Sequence, residues 1–237
     1  MSEQRKALIV RGGWPGHQPV EATERFIPFL QEQGFQVRIE ESTAVYADAA
    51  TLAQTDLIVQ SITMGEIAHD ELAGLRSAIE AGTGFTGWHG GIVDSFRASS
   101  DYLQLVGGIF ASHPAIGPHT PHVEGEQHFR DHTVNITELG RQHPITAGIA
   151  DFDLHTEQYW VLFDGLIDVL ATTSHPSEPE QQWHRPHTSP VVWTRQWGAG
   201  RIVVATPGHR VDVLDDPSVR TIIERGILWA ARTGSGS

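Results

Sequence analysis

The 237-residue chain contains no cysteine. That absence excludes a disulfide framework, a thiolate-held metal and a thiol nucleophile. Positive charge is scarce as well: 16 Lys and Arg stand against 29 Asp and Glu, for a formal net charge of -13. An acidic chain lacks the basic footprint that holds phosphate backbones, so neither nucleic acid nor an anionic membrane is expected as a partner. No apolar run approaches the roughly 18 residues a membrane helix needs. Behind the opening Met1-Ser2-Glu3-Gln4-Arg5-Lys6 there is no signal-length apolar stretch, because Ala7-Leu8-Ile9-Val10 is soon followed by Gly12-Gly13. A cytoplasmic protein is expected.

Histidine is what the chain has in quantity, 14 residues, alongside seven tryptophans. With 39% hydrophobic residues there is apolar surface enough for a sizeable core, and neither disorder nor a fibrous repeat fits. One domain over residues 1–232 is expected, with Thr233-Gly234-Ser235-Gly236-Ser237 as a flexible tail.

In the first half, short apolar runs alternate with amphipathic stretches. Residues 6–11, 36–40, 56–60 and 85–88 read as strands. Residues 20–33 read as a helix, with Phe26, Phe29 and Leu30 on one face and Gly34 at its end. Residues 70–81 read as another, with Leu72, Leu75 and Ile79 at helical spacing and Gly82 as its stop. This β-α-β-α-β order predicts a parallel sheet covered by helices on both faces, in a flavodoxin-like strand order. The second half is strand-rich, with strands expected at 133–137, 159–163, 169–173, 191–195 and 201–206. Trp197-Gly198-Ala199-Gly200 turns a hairpin between the last two, and Asp216-Pro217 opens a closing helix. The expected fold class is therefore α/β, an antiparallel extension joined to a parallel core.

In open α/β sheets ligands gather at the carboxyl ends of the strands. Gly12-Gly13-Trp14-Pro15-Gly16-His17 follows the first strand, Gly87-Trp88-His89-Gly90-Gly91 the fourth, and Pro207-Gly208-His209 the last. The second of these has the spacing of a nucleophile elbow, where small residues flank a side chain projected into the pocket. With histidine at its centre it offers an acid/base or a metal ligand rather than an acyl carrier. The alternative is a tight loop in which His89 is structural. If residues 151–160 are extended, His155, Glu157 and Tyr159 share one face. Glu157 would then be a base or would orient an imidazole; the alternative is a solvated edge strand. Between His113 and His132, the alternating His122, Glu124, Glu126 and His128 have the pattern of zinc or manganese ligands. Pro114, Gly117, Pro118 and Pro121 instead favour a solvated loop over 119–132. His113 follows a short apolar segment that could return it to the pocket. His69, His143, His175, His184 and His187 read as surface or capping residues.

Taken in order, these motifs resemble the ThuA-like proteins, a family named for trehalose utilisation and similar in fold to class I glutamine amidotransferases. The resemblance runs through Gly12-Gly13-Trp14 with Gly16-His17, Gly87-Trp88-His89-Gly90-Gly91, Asp94 and Phe96-Arg97. It continues through Gly107-Gly108 with His113-Pro114, His143-Pro144-Ile145-Thr146-Ala147-Gly148 and His155-Thr156-Glu157-Gln158-Tyr159. Val191-Val192-Trp193 and Gly208-His209 complete it. It implies a flavodoxin-like core, carbohydrate-linked metabolism and frequent oligomerisation, so a homo-oligomer, a dimer at its simplest, is expected. It does not imply amidotransferase activity, because His89 stands at the nucleophile position and cysteine is absent.

The function that follows is acid/base isomerisation or elimination on a keto-glycoside or related small-molecule sugar. His89, Glu157 and His209 are expected to be catalytic. Trp14, Trp88 and Tyr159 offer faces for stacking on a sugar, and His17, Asp94, Arg97, His113, His155 and Gln158 are candidates to bind its hydroxyls. A divalent ion, zinc or manganese, would take its ligands from His89, His113 and His209. The alternatives are a non-catalytic sugar-binding or regulatory module on the same fold, and a metal-dependent hydrolase, although no His-Glu-x-x-His motif is present.

Overall fold

The first strand shows why a parallel sheet forms. Ala7, Leu8, Ile9 and Val10 are all buried, and successive residues enter two different cores. Ala7 and Ile9 pack with Phe26, Leu30 and Ile223 on one side; Leu8 and Val10 pack with Tyr46, Leu75 and Ile79 on the other. A strand buried on both faces has no polar alternation, and helices must cover each side. The computed structural model describes residues 4–114, 126, 128–177 and 183–232. Its strands are β1 Lys6–Gly13, β2 Gln36–Glu40, β3 Leu57–Thr63, β4 Gly84–Trp88, β5 Gly108–Ser112, β6 Phe129–Ile136, β7 Phe152–Glu157, β8 Trp160–Phe163, β9 Asp168–His175, β10 His187–Trp197 and β11 Gly200–Ala205.

Nine of them form one sheet in the order β2-β1-β3-β4-β11-β10-β9-β6-β7. From β2 to β11 neighbouring strands run parallel, which is the flavodoxin-like order expected. From β11 onward each pairing is antiparallel, starting with the hairpin that turns at Gly198-Ala199. The fold is thus mixed α/β, with a parallel core and an antiparallel extension. β5 and β8 pair separately as a small antiparallel sheet. Helices Pro19–Glu24, Ile27–Glu32 and Pro217–Ala230 cover one face; His69–Glu80 and Ser100–Val106 cover the other. Asp216 caps the closing helix, its carboxylate accepting from the Ser218 and Val219 amides at 2.9 and 3.1 Å. Among the described residues, no helix is long and apolar enough to cross a membrane.

Several expectations are corrected. The helix foreseen over 20–33 is two helices broken at Arg25-Phe26, because Pro28 cannot donate into a continuous ladder and instead sits in the first turn of the second. The strand foreseen at 133–137 begins at Phe129, so Phe129 to His132 are not solvated loop. His122 and Glu124 lie outside the described residues, and no ligand pattern over 122–128 can be traced. His175 is fully buried on β9 rather than at the surface, paired across the ladder with His187.

Candidate functional site

β4 runs into the short helix Gly90–Val93 through His89, whose φ of 50° and ψ of −146° are rare for a residue with a side chain. Such a conformation costs on the order of 1–3 kcal/mol and persists only where its surroundings hold it. The His89 amide donates to the Ala205 carbonyl at 2.8 Å, and the glycines supply the room. A Cβ on Gly87 would come within 2.4 Å of the Gln60 carbonyl oxygen, and one on Gly91 within 2.8 Å of the Ser61 Cα. The turn therefore presses against β3 and projects the imidazole over the carboxyl ends of the parallel strands.

Four other strand ends meet it there. A carbonyl oxygen can only accept, so the 2.7 Å contact between His89 Nδ1 and the Thr206 carbonyl puts the ring proton on Nδ1. Nε2 is left with its lone pair, facing the Tyr159 hydroxyl at 2.7 Å and Glu157 Oε2 at 3.1 Å. Glu157 closes β7. His209, beyond β11, brings Nδ1 to 3.0 Å from the same carboxylate oxygen, yet that nitrogen is buried without a hydrogen-bond partner among the described residues. His17, in the turn after β1, has Nδ1 2.9 Å from Thr63 Oγ1. Its ring lies 4.5 Å from that of His89 and 5.1 Å from that of His209. One ligand-type atom from each of His17, His89, Glu157 and His209 falls in a group no more than 4.8 Å across, and all four residues are buried.

Burial and neighbouring imidazoles lower the His17 pKa to about 2, and burial lowers that of His113 to about 4 even though Glu157 pulls the other way. Burial also depresses His89. For Glu157 burial pushes upward, but His209 and His89 outweigh it and hold the carboxyl below its usual range. Tyr159 is held well above the ordinary phenol value by burial and by the charges of Glu157 and Asp94, so it keeps its proton. The site at neutral pH is one carboxylate, a phenol, and imidazoles free of a second proton at His17, His89 and His113.

The sequence-predicted residues separate into two groups. His17, His89, Glu157, Tyr159 and His209 converge, with Tyr159 stacked on the His89 ring at 4.2 Å. His113 stands at their edge, Nε2 3.7 Å from Glu157 Oε1 and its ring stacked 4.3 Å from His128. Of His113 and His17, it is His17 that belongs to the four-residue group of possible metal ligands. Trp14 is 44% exposed with its ring edge-on to His17, 4.8 Å away, and keeps a face for a ligand. Asp94 and Arg97 form a two-bond ion pair, one bond at 2.7 Å, and Arg97 stays half exposed.

Three further candidates stand apart from this group. Trp88 is in the core, 4.7 Å from the Phe26 ring, because neighbours at the strand end point to opposite sides and His89 takes the pocket side. The Gln158 amide is consumed by Thr173 Oγ1 at 2.6 Å and the Ser174 carbonyl at 3.0 Å. His155 shares the Glu157 side of β7 but is exposed on the edge strand and pairs with Asp131 at 2.8 Å. Phe129 stands beside both His155 and His209, at ring distances of 5.9 and 5.3 Å. Sequence reasoning missed Thr63 and Thr206, which orient His17 and His89, and Phe110, 4.4 Å from Tyr159. Thr63 closes β3 and Thr206 lies just beyond β11, so their one signal was position at a strand end; Phe110, in the middle of β5, carried none. Among the described residues, the hollow lined by Lys6, Gln36, Arg38 and Thr51 at the opposite end of the strands gathers no comparable set.

The family model of ThuA, described as trehalose utilisation, matches residues 6–230. Among solved structures, a protein described as ThuA-like from Parabacteroides merdae ATCC 43184 is similar at a TM-score of 0.71 and 16% identity, over 99% of this chain and 93% of that one. A second described as ThuA-like, from Bacteroides uniformis ATCC 8492, is similar at 0.69 and 16%, over 95% and 91%. A cytoplasmic protein from Salmonella typhimurium LT2 is similar at 0.60 and 12%, over 96% and 100%. At such identities the likeness speaks for the fold alone. No curated protein matches the chain in sequence.

Proposed function

This chain belongs to the ThuA family, trehalose utilisation, and from that premise we propose that it moves protons on a keto-sugar, isomerising a keto-glycoside or eliminating its glycosidic substituent. The family ties the chain to carbohydrate metabolism. The observation that carries the finer reading is the convergence of His17, His89, Glu157, Tyr159 and His209 in one buried place, with His113 at its edge. A plain glycosidase works with two carboxylates roughly 5–9.5 Å apart across the bond. Here Glu157 is ringed by imidazoles, and Asp94 is engaged by Arg97. Proton-handling groups with, among the described residues, no second free carboxylate or nucleophile beside them suit a substrate whose C–H is already acidified by a neighbouring carbonyl.

In a 3-keto sugar the base takes the C2 hydrogen as a proton, and the electron pair left behind forms an enediolate across C2 and C3. Passing the C2 hydroxyl proton to the C3 oxygen and returning the abstracted proton to C3 leaves the 2-keto isomer. If the pair instead expels the C1 substituent, that oxygen takes a proton and an unsaturated ketone remains. Neither route needs an oxidant or reductant. His113, the less buried imidazole at the edge, with Nδ1 unpartnered among the described residues, is the base, and the protonated Tyr159 serves the oxygen. His89, Glu157 and His209 form the floor on which the carbonyl oxygen rests, and Trp14 offers the sugar a flat face.

Incubation with 3-keto-trehalose or a 3-keto-glucoside in deuterated water, followed by NMR, tests this. Deuterium should enter beside the carbonyl, or product should appear. His113→Ala should lower the rate by about 10²–10⁴-fold while sugar affinity is kept. A wild-type chain that binds the sugar and exchanges nothing overturns the reading.

A further inference from the structure

Charge on this floor raises a difficulty that the imidazoles alone do not answer. Abstracting a proton beside a carbonyl puts negative charge on the substrate oxygen, and the floor beneath it already carries the Glu157 carboxylate. Two like charges held that close repel strongly where water is excluded. The hydrogen bonding of the floor is also incomplete. His89 has spent its proton on the Thr206 carbonyl, so Nε2 faces Glu157 Oε2 at 3.1 Å with none to give. His209 Nδ1 lies 3.0 Å from that same oxygen, buried and, among the described residues, without a hydrogen-bond partner.

We infer that His17, His89, Glu157 and His209 bind a divalent first-row transition-metal ion, which holds the vicinal carbonyl and hydroxyl oxygens of the substrate. Ligand atoms about 2.1 Å from an ion sit about 3.0 Å apart when adjacent in an octahedron and about 3.4 Å in a tetrahedron. The 3.0 and 3.1 Å separations fit the octahedral edge, and the group as a whole, 4.8 Å across, would close by about 0.6 Å toward the roughly 4.2 Å between opposite ligands as the ion enters. Three imidazoles and a carboxylate suit such an ion, and four protein ligands in a six-coordinate shell leave two positions. Two oxygens on neighbouring carbons fill two adjacent positions, which selects α-hydroxy ketones over simple glycosides. The outer contacts are in place: Thr206 and Thr63 hold the far nitrogens of His89 and His17. Tyr159, now hydrogen-bonded to His89 Nε2, is released by the ion to serve the substrate oxygen. The α-hydroxy-ketone selection rests on the keto-sugar reading; the ion site does not.

The test needs no sugar. Protein stripped by dialysis against a chelator is titrated with Mn²⁺, Co²⁺ and Zn²⁺ in a calorimeter. One ion should bind per chain and raise the melting temperature. Glu157→Gln and His209→Asn should weaken binding at least about tenfold, whereas His155→Ala and His143→Ala should not. If the ligand variants fold poorly, electron paramagnetic resonance of the Mn²⁺-loaded wild type should show coupling to imidazole nitrogens. Absence of binding, binding indifferent to the ligand variants, or a spectrum without nitrogen coupling overturns the site. Ion binding without exchange on 3-keto-glucoside leaves the site standing and removes the keto-sugar reading; exchange by protein that takes up no ion does the reverse.

Discussion

At His89 two neighbouring residues divide the work of a strand end. The imidazole enters the pocket, and the indole of Trp88 is thereby turned into the core against Phe26. By the period-two rule two neighbouring residues at a strand end face opposite sides. The elbow itself was legible, since glycine two before and two after His89 is a local signal and both positions prove to be too crowded for a Cβ. Gly90 was not legible in the same way, because what it makes room for is 73 positions away from it in no local pattern: it is His17, from another turn, whose Cε1 and Nδ1 would lie 2.5 and 2.6 Å from an added Cβ. Gly90 adopts no left-handed backbone, so alanine is tolerated by the chain while displacing His17. Gly90→Ala should therefore lower keto-sugar exchange and ion affinity at least about tenfold with little loss of stability. Matched titrations and melting curves check this; unchanged exchange with a normal melt would show that His17 is dispensable.

Elements were legible wherever one periodic face met one core. Leu72, Leu75 and Ile79 marked the helix that is observed at His69–Glu80, and the apolar runs marked β1 to β4. Boundaries failed where the cause lay outside the element. β6 begins at Phe129, amid histidine and charge, because pairing with β7 supplies its ladder; that partner is remote in sequence and leaves no period behind. The helix His69–Glu80 shows the same limit at Gly74. By propensity alone Gly74→Ala should stabilise a helix interior by about 1 kcal/mol. An added Cβ would, however, stand 1.9 Å from the Tyr46 carbonyl oxygen, in the turn Thr43–Ala47. Moving that backbone disturbs the buried bond from Tyr46 to Gln60, 3.0 Å long, and overpacking costs about 1–3 kcal/mol or more. The packing term wins, so Gly74→Ala should lower the melting temperature; a rise would show that the turn yields freely.

The whole molecule assembles the site from both of its halves. The parallel core contributes His17, His89 and His209, and the antiparallel extension contributes Glu157 and Tyr159, 68 and 70 residues beyond His89. Individual strand ends could be read from glycine and histidine, but their meeting depends on β11 returning beside β4, a pairing no local pattern encodes. The extension also carries a second histidine group that makes stability depend on pH. His175 is fully buried on β9, bonded through Nε2 to Ser189 Oγ at 3.0 Å. Burial first, then His187, Arg130 and His132, lower its pKa from 6.5 to about 4. Between those values the unfolded chain binds a proton that the folded chain refuses, so acid favours unfolding there. The contribution of His175 is fully present above pH 6.5 and is lost as pH falls toward 4. At about 1.4 kcal/mol per pH unit it amounts to roughly 3 kcal/mol. His187, depressed by burial as well, acts in the same sense. Urea unfolding at intervals from pH 7 to 4 should show this decline, and His175→Gln, which keeps a polar partner for Ser189 but cannot titrate, should flatten it. Parallel profiles for the two chains across that window would mean that β9 opens to admit the proton without unfolding.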